Sequence, residues 1–319
     1  KWKKYHYLIR EKLKVFNFKD IQVELGRKIE RNYLIEKQLG FNKNEIQEKT
    51  GIEKRYLANK QQYSETFAIK AAKKIQKKNN LSKLTHIISV SNTPSILFPS
   101  IAHYVCSSIK LKKQIHCIGI NSGCSGYVDA LIIAYDILKV DNKSEILITT
   151  SDTYSKYISN SDRSIRPLFS DGGSATLLKY SKSGWKLENK FSSTISNTQE
   201  NLIMKKDFYT KKMIIKMNGP EVLTFAMQYV IPQIQKLTNN EKSCMLLAHQ
   251  AGKIVMNKII KKLNNKIYIP TNYHKYGNLV STSIPNLLFE NSKKINKYKK
   301  IVLSGFGVGL THTHLKLKK

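Results

Sequence analysis

The chain has 319 residues and carries 55 Lys plus Arg against 22 Asp plus Glu, a formal charge of +33. Only six of the 55 are Arg (Arg10, Arg27, Arg31, Arg55, Arg163, Arg166), which leaves 49 Lys. Arg is the side chain suited to bidentate contact with phosphate and guanine, so this balance argues against a nucleic-acid surface; a hydrophobic content of 41% excludes composition-driven disorder.

Lys, Asn and Ile crowd together, as in Lys77-Lys78-Asn79-Asn80 and Lys261-Lys262-Leu263-Asn264-Asn265-Lys266. These residues share A/T-rich codons, so genome composition accounts for much of the charge. No apolar run approaches the roughly 18–20 residues of a membrane span. Lys1-Trp2-Lys3-Lys4-Tyr5-His6-Tyr7 is basic but no apolar stretch follows it, so no signal peptide is expected. Cys106, Cys117, Cys124 and Cys244 lie at irregular spacings without a CxxC pair, which fits a reducing compartment and argues against a disulfide framework or zinc site. A compact cytoplasmic protein of one large domain or two fused ones is expected.

In chain order, Ser64 to Lys78 sets Phe67, Ala71, Ala72 and Ile75 at helical spacing with Lys on the other side. Leu84 to Val90 reads as a buried strand that ends in the loop Asn92-Thr93-Pro94. Gln114 to Ile120 reads as a strand, Asn121-Ser122-Gly123-Cys124-Ser125-Gly126 as a tight turn, Tyr127 to Val140 as an apolar helix and Glu145 to Thr150 as a returning strand. That is a βαβ unit with a cysteine at its elbow. After the strand Ala175–Leu178, the polar stretch Tyr180-Ser181-Lys182-Ser183-Gly184 marks a boundary, dividing the chain into halves 1–180 and 181–319. The second half repeats the device: strand Ser243–Ala248, His249 on the turn, helix Gln250–Leu263. Lys300–Ser304 is a strand that leads into the Gly-rich loop Gly305-Phe306-Gly307-Val308-Gly309.

Cys124 is the first candidate for chemistry. Small residues flank it, and the N-terminus of a helix favours a thiolate through its amides and dipole. Cys106, Cys117 and Cys244 sit inside apolar segments and read as core. His249 at a strand end becomes interesting only if it meets the cysteine. In Tyr276-Gly277-Asn278 the glycine permits an unusual backbone angle and Asn278 can point an amide into a cleft. The Gly-rich loop lacks a following helix, so close backbone approach to a substrate or to Cys124 is the better reading than a nucleotide site.

Taken together, these segments resemble the thiolase-fold condensing enzymes, most closely the β-ketoacyl-acyl carrier protein synthase III group. Thr50-Gly51-Ile52-Glu53-Lys54-Arg55 is similar to the family's TGIxxR, and Asn92-Thr93-Pro94 with Phe98-Pro99-Ser100 to the segment before the dimer interface. Asn121 to Gly126 stands for the nucleophile loop, and Asp162-Arg163 with Leu168-Phe169-Ser170-Asp171-Gly172-Gly173-Ser174-Ala175 for DR…LFGDGAGA. Met217-Asn218-Gly219-Pro220-Glu221-Val222 is like MNGxEV, and His249-Gln250-Ala251 and Tyr276-Gly277-Asn278 supply the remaining motifs.

The resemblance implies a thiolase fold, two pseudo-repeated α/β halves in an αβαβα layering. It implies that Cys124 carries an acyl group, and that His249 and Asn278 stabilise the enolate formed when a malonyl thioester loses carbon dioxide. Backbone amides of Cys124 and Val308 would form the oxyanion hole, and Arg163, Phe98, Phe306 and Gly307 would serve substrate or carrier binding. Phe98 is expected to cross a homodimer interface into the partner's acyl pocket. The expected partners are an acyl carrier protein, drawn to a Lys-rich rim, and a small acyl thioester. No metal or redox cofactor is needed.

Some positions depart from the pattern. Glu45 and Ile254 stand where primer-condensing members hold coenzyme A with Trp and Arg. Gly252 replaces an Asn, and His312 a Trp. An acyl carrier protein or an unusual thioester as donor, in place of acetyl-CoA, and a specialised pathway are therefore favoured over housekeeping fatty-acid initiation. The alternatives are an acyltransferase on the same scaffold, passing the acyl group from Cys124 to a hydroxyl or amine, and a non-catalytic basic binding protein.

Overall fold

The computed structural model describes residues 15–111, 114–181, 183–263 and 267–319. The basic segment Lys1–Tyr7, Lys182 of the boundary stretch and the last three residues of the 261–266 run lie outside them.

Two sheets form the frame. The first joins β1 (Val15–Leu25), β4 (Leu84–Val90), β5 (His116–Ile120), β6 (Glu145–Asp152) and β7 (Gly172–Ser181) in the order β1-β7-β6-β4-β5. β4 runs parallel to both β5 and β6, whereas β7 is antiparallel to its neighbours. The second joins β8 (Lys186–Thr194), β11 (Cys244–Ala248), β12 (Lys300–Gly307) and β13 (Thr311–Lys318) in the order β11-β12-β13-β8. Two short ribbons complete the strands: β2 (Lys28–Arg31) with β3 (Lys54–Leu57), and β9 (Leu202–Lys206) with β10 (Met213–Met217).

The helices are α1 (Glu45–Thr50), α2 (Ser64–Lys78), α3 (Ile101–Ile109), α4 (Gly123–Val140), α5 (Gly219–Phe225), α6 (Ile231–Thr238), α7 (Lys253–Leu263), α8 (Tyr273–Tyr276) and α9 (Ser283–Glu290). α4 lies between the sheets. Tyr127, Leu131, Ala134 and Leu138 pack with Ile88, Ile146 and Ile148 of the first sheet and Leu303 and Leu315 of the second. A helix covered on two sides must be apolar nearly all round, which is how 127–140 reads. α9 joins α4 in this middle layer through Ile284 and Leu287. α2 and α3 cover the outer face of the first sheet, with Ala68, Ala71, Ile75, Ala102 and Val105 against Ile87, Leu147 and Leu177. α6 and α7 cover the second, with Ile231, Ile234, Val255 and Ile259 against Leu246 and Val302. The result is the expected five-layer αβαβα stack.

α2 shows how local sequence sets an element. The Tyr63 amide donates to Thr66 Oγ1 at 3.2 Å to start it, and Lys77 and Lys78 complement the dipole at its end. Asn79 closes it, donating Nδ2 to the Ile75 carbonyl at 3.0 Å. β4 buries Leu84, Ile87, Ile88 and Val90, as suits a parallel strand covered on both faces, and Ser89 is buried with them.

Four expectations are corrected. The helix expected from Tyr127 starts at Gly123, which puts Cys124 in its first turn, and the one expected from Gln250 starts at Lys253. Gly305 and Gly307 continue β12 and are not loop residues. Cys106 and Cys117, expected in the core, are half-buried beside the outer cluster of the first sheet.

Candidate active site

The site forms where β5 runs out and α4 begins. Gly123 turns the chain at φ +51°, and a Cβ there would fall 2.1 Å from Asn92 Oδ1, so only glycine fits. Cys124 follows, 4% exposed. β12 passes across it from the other sheet. A Cβ on Gly305 would sit 2.8 Å from the Cys124 carbonyl oxygen, and one on Gly307 would sit 3.0 Å from Cys124 Cβ and 3.2 Å from Sγ. Glycine weakens a strand interior, but here it lets the strand lie directly against the thiol.

His249 caps the end of β11, its amide donating to the Ser304 carbonyl at 2.8 Å. Its ring stands edge-on to Phe306, centroids 5.4 Å apart. Asn278 is pinned by a bridge to the 168–170 segment: its amide donates to the Leu168 carbonyl at 2.8 Å, and its carbonyl accepts from the Ser170 amide at 2.9 Å. Asn278 Oδ1 accepts from the Val280 amide at 2.9 Å. That contact fixes the side-chain amide's orientation and leaves Nδ2 as the group that can donate. His249 and Asn278 are 2% and 5% exposed.

The three candidate residues come together in one cavity of about 710 Å³. Its floor holds Cys124, His249, Asn278, Phe306 and Gly307, and its far wall is apolar, built from Phe169, Leu202, Met217, Val222 and Leu223. Arg163 lines the same cavity nearer its open end, where Lys49 and Ile254 are exposed. Val308 opens the 3₁₀ turn after β12 and packs against Gly123, its Cγ2 lying 3.0 Å from where a Cβ there would stand. Phe98 does not line the cavity of its own chain. With Leu97 it stands exposed, at 84% and 85%, on the loop before α3.

The electrostatics differ from a thiolate at a helix end. The Cys124 amide pulls the thiol's pKa down, but burial, with the Asp152 carboxylate adding to it, pushes it well above its ordinary value. Magnitudes decide this: a helix terminus is worth about 0.3–1 kcal/mol, whereas full burial shifts a pKa by roughly 3–5 units, or about 4–7 kcal/mol. Cys124 therefore rests as a thiol. Burial likewise lowers His249 to about 3, against a smaller opposing contact with the Val280 backbone, so the imidazole is neutral. Nδ1 of that ring is buried with no partner among the described residues.

Sequence reasoning missed two parts of the site. Asp152, at the end of β6, accepts from the Asn92 amide at 2.8 Å, Thr93 Oγ1 at 3.3 Å and Ser281 Oγ at 2.5 Å, and burial raises its pKa to about 6. It ties the 92–93 and 281 loops together behind the thiol. Phe41 lies at the open end beneath Arg163, whose Cζ is 4.5 Å from the ring centroid and whose guanidinium donates to the Gly40 carbonyl at 2.9 Å. An aromatic–guanidinium pair thus stands there although position 45 is Glu. No local signal distinguishes either residue, since each matters only through what the fold brings beside it.

The family described as 3-oxoacyl-[acyl-carrier-protein] synthase III matches residues 118–195, and its C-terminal part matches 235–318. A β-ketoacyl-[acyl-carrier-protein] synthase III of Clostridium novyi is 32% identical over 300 residues, covering 87% of this chain and 90% of the relative. One from Clostridium botulinum strain Okra is 35% identical over 285 residues, covering 83% and 87%. The crystal structure of a 3-oxoacyl-[acyl-carrier-protein] synthase III from Aquifex aeolicus superposes with a TM-score of 0.82 at 27% identity, covering 94% of this chain and 98% of that one. The Thermus thermophilus structure shares the fold, with a TM-score of 0.84 at 23% identity over 95% and 99% of the two chains. With matches in both halves and identity above three in ten across most of its length, the chain belongs to the β-ketoacyl-[acyl-carrier-protein] synthase III family.

Proposed function

We propose that the protein is a condensing acyltransferase that loads an acyl group on Cys124 and joins it to a malonyl thioester on an acyl carrier protein, with loss of carbon dioxide. The observation that carries this reading is the convergence of Cys124, His249 and Asn278 on one apolar cavity, with the thiol at a helix N-terminus. Membership of a synthase family favours condensation over acyl transfer to a hydroxyl or amine.

In the first half-reaction the Cys124 sulfur attacks the donor thioester. The thiol proton leaves the protein sulfur, and the donor's thiol departs protonated. Because the resting thiol is neutral, deprotonation is coupled to donor binding. Covalent capture splits one difficult condensation into two easier steps. The developing oxyanion is held by the amides of Cys124 and Val308, next to the glycine that lets β12 approach the thiol.

In the second half-reaction a malonyl thioester enters. The neutral imidazole of His249 and Nδ2 of Asn278 donate to its thioester oxygen. As the carboxylate leaves as carbon dioxide, the electron pair it releases forms an enolate on that oxygen. A neutral imidazole suits this role, since it donates without an ion pair that would over-stabilise the ground state. The enolate carbon then attacks the acyl-cysteine carbonyl, expelling the Cys124 sulfur and leaving a 3-oxoacyl carrier thioester. The chemistry draws only on the chain's own side chains and amides.

Substrate binding divides along the cavity. The apolar wall takes the acyl chain, while Phe41 and Arg163, with Lys49 and Lys253 beside them, receive the carrier's phosphopantetheine arm and its acidic partner surface. The exposed, uncharged loop of Leu97 and Phe98 is the surface for a second copy of the chain, making a homodimer. The halves 1–180 and 181–319 supply the thiol and the two hydrogen-bond donors respectively. A cytoplasmic enzyme fits this chemistry, and a carrier-bound donor fits the substitutions at 45 and 254.

The test is to incubate the protein with an acyl thioester and malonyl-carrier protein and follow carbon dioxide release and intact mass. Acylation of the wild type, none with Cys124→Ala, and carbon dioxide release that needs both substrates are expected. Ester or amide formation without carbon dioxide would replace condensation with simple acyl transfer.

A further inference from the structure

The ribbon β9–β10 contributes to the cavity only at its base, where the paired residues Leu202 and Met217 line the wall. The strands then run four residue pairs outward to Lys206 and Met213, about 13 Å at 3.3 Å per residue. Beyond that pair is a built turn. The Asp207 amide donates to the Lys212 carbonyl at 2.8 Å, the Lys211 amide to the Asp207 carbonyl at 3.0 Å, and the Thr210 amide and hydroxyl both donate to Asp207 Oδ1 at 2.8 Å. At its tip Phe208 and Tyr209 are 76% and 88% exposed, their rings edge to face at 5.4 Å. Lys205, Lys206, Lys211 and Lys212 flank them, with Lys211 Nζ 4.5 Å from the Phe208 ring centroid.

We propose that this tip is a docking element for an anionic lipid surface. Two adjacent rings held out at the end of an ordered turn cost little entropy to insert, and Tyr places its hydroxyl at headgroup level. Lys205 is paired with Glu200 at 2.9 Å, so Lys206, Lys211 and Lys212 against Asp207 complement a negative surface, each lysine contributing about fivefold in partitioning, from about 1 kcal/mol. The contrast with Leu97 and Phe98 is informative: residues 91–102 carry no Lys, Arg, Asp or Glu, which suits a protein partner and not a charged lipid surface. A protruding ring pair needs a concave acceptor on a protein, whereas a bilayer interface accepts it anywhere.

The test is co-sedimentation of the full chain with vesicles of phosphatidylcholine, with and without about one-third phosphatidylglycerol, at low salt and at about half-molar salt. Binding to the anionic vesicles that falls steeply with salt is expected. Lys211→Glu/Lys212→Glu and Phe208→Ser/Tyr209→Ser should each lower it at least tenfold, with unchanged unfolding midpoints. Binding that ignores phosphatidylglycerol, or that survives both double variants, overturns the proposal. So does an absence of vesicle binding combined with tip-dependent capture of apo acyl carrier protein.

Discussion

Gly307→Ala puts one methyl group where β12 crosses the thiol. That methyl would stand 3.0 Å from Cys124 Cβ and 3.2 Å from Sγ, a few tenths of an ångström inside ordinary contact, at a backbone setting of φ +157° that side chains rarely adopt. Overpacking costs about 1–3 kcal/mol and the backbone setting about 1–3 more, so a loss of about 2–6 kcal/mol is expected. At roughly 2–4 °C per kcal/mol for a chain of this size, the unfolding midpoint should drop by about 4–24 °C. Chemistry should suffer more than stability, because displacement of a reacting atom by even a fraction of an ångström is costly. Acylation should slow by on the order of 10²-fold. Gly219→Ala is the matched control. Nothing lies within 4 Å of its Cβ position and it opens α5, so Ala should be neutral or add about 0.5–1 kcal/mol. Differential scanning calorimetry and time-resolved intact-mass measurement of acyl-Cys124 read both effects. If Gly307→Ala acylates within about twofold of the wild type with an unchanged midpoint, β12 does not constrain the thiol and the reasoning fails.

Asn278→Ala should leave acyl-Cys124 formation within about threefold yet cut carbon dioxide release by on the order of 10²–10³ if, as proposed, Nδ2 donates only in the second half-reaction; equal losses in both would move the residue into the first. Acid should weaken the fold. His249 and His314, both buried and both lowered to about 3, stay neutral while the unfolded chain takes up protons below its ordinary value of 6.5. Each removes about 1.4 kcal/mol per pH unit as pH falls. Asp152, raised to about 6, binds its proton in the folded state first and returns about the same slope for one group below pH 6. A net loss of about 1.4 kcal/mol per unit between pH 6 and 4 should appear in urea titrations, and His314→Asn should largely flatten it. Arg55→Met should cost about 3–5 kcal/mol in the same titrations, since it strands partners of a buried ion pair. The guanidinium, 2% exposed, donates to Asn32 Oδ1 at 2.9 Å, to the Arg166 carbonyl at 2.5 Å and to Glu30.

The elbow at Cys124 was readable because a turn too tight for side chains must be written in glycine and serine, and those letters are local. The same holds for α4, whose apolar character on every side announces a helix with two covers. Gly305 and Gly307 misled for the opposite reason. Glycines ordinarily break strands, and here they extend one because the Cys124–Ser125 backbone fills the side-chain space of Gly305 and the Cys124 side chain that of Gly307. Phe41 was invisible at the cavity mouth, since its role arises from Arg163 lying over its ring. Asp152 lies two residues beyond the strand expected over Glu145 to Thr150. Its environment, four donors from two loops under full burial, exists only after both sheets have closed around α4. The resting charge state of Cys124 was also beyond local reading, because helix position argues one way and burial, the larger effect, argues the other.

The β9–β10 ribbon pairs only with itself, yet its base walls the cavity that the apolar chain would fill, while the thiol's immediate surroundings are backbone and glycine from both sheets. Tolerance to change is thus unevenly distributed. The outer half of the ribbon, 205–213, can be varied most freely, because Leu202, Met204, Ile215 and Met217 pack with the core around Cys124 and Phe306. Acyl-chain preference is shared between the ribbon's base and the fixed part of the fold, so redirecting the enzyme means changing Leu202 and Met217 together with Phe169, Val222 and Leu223.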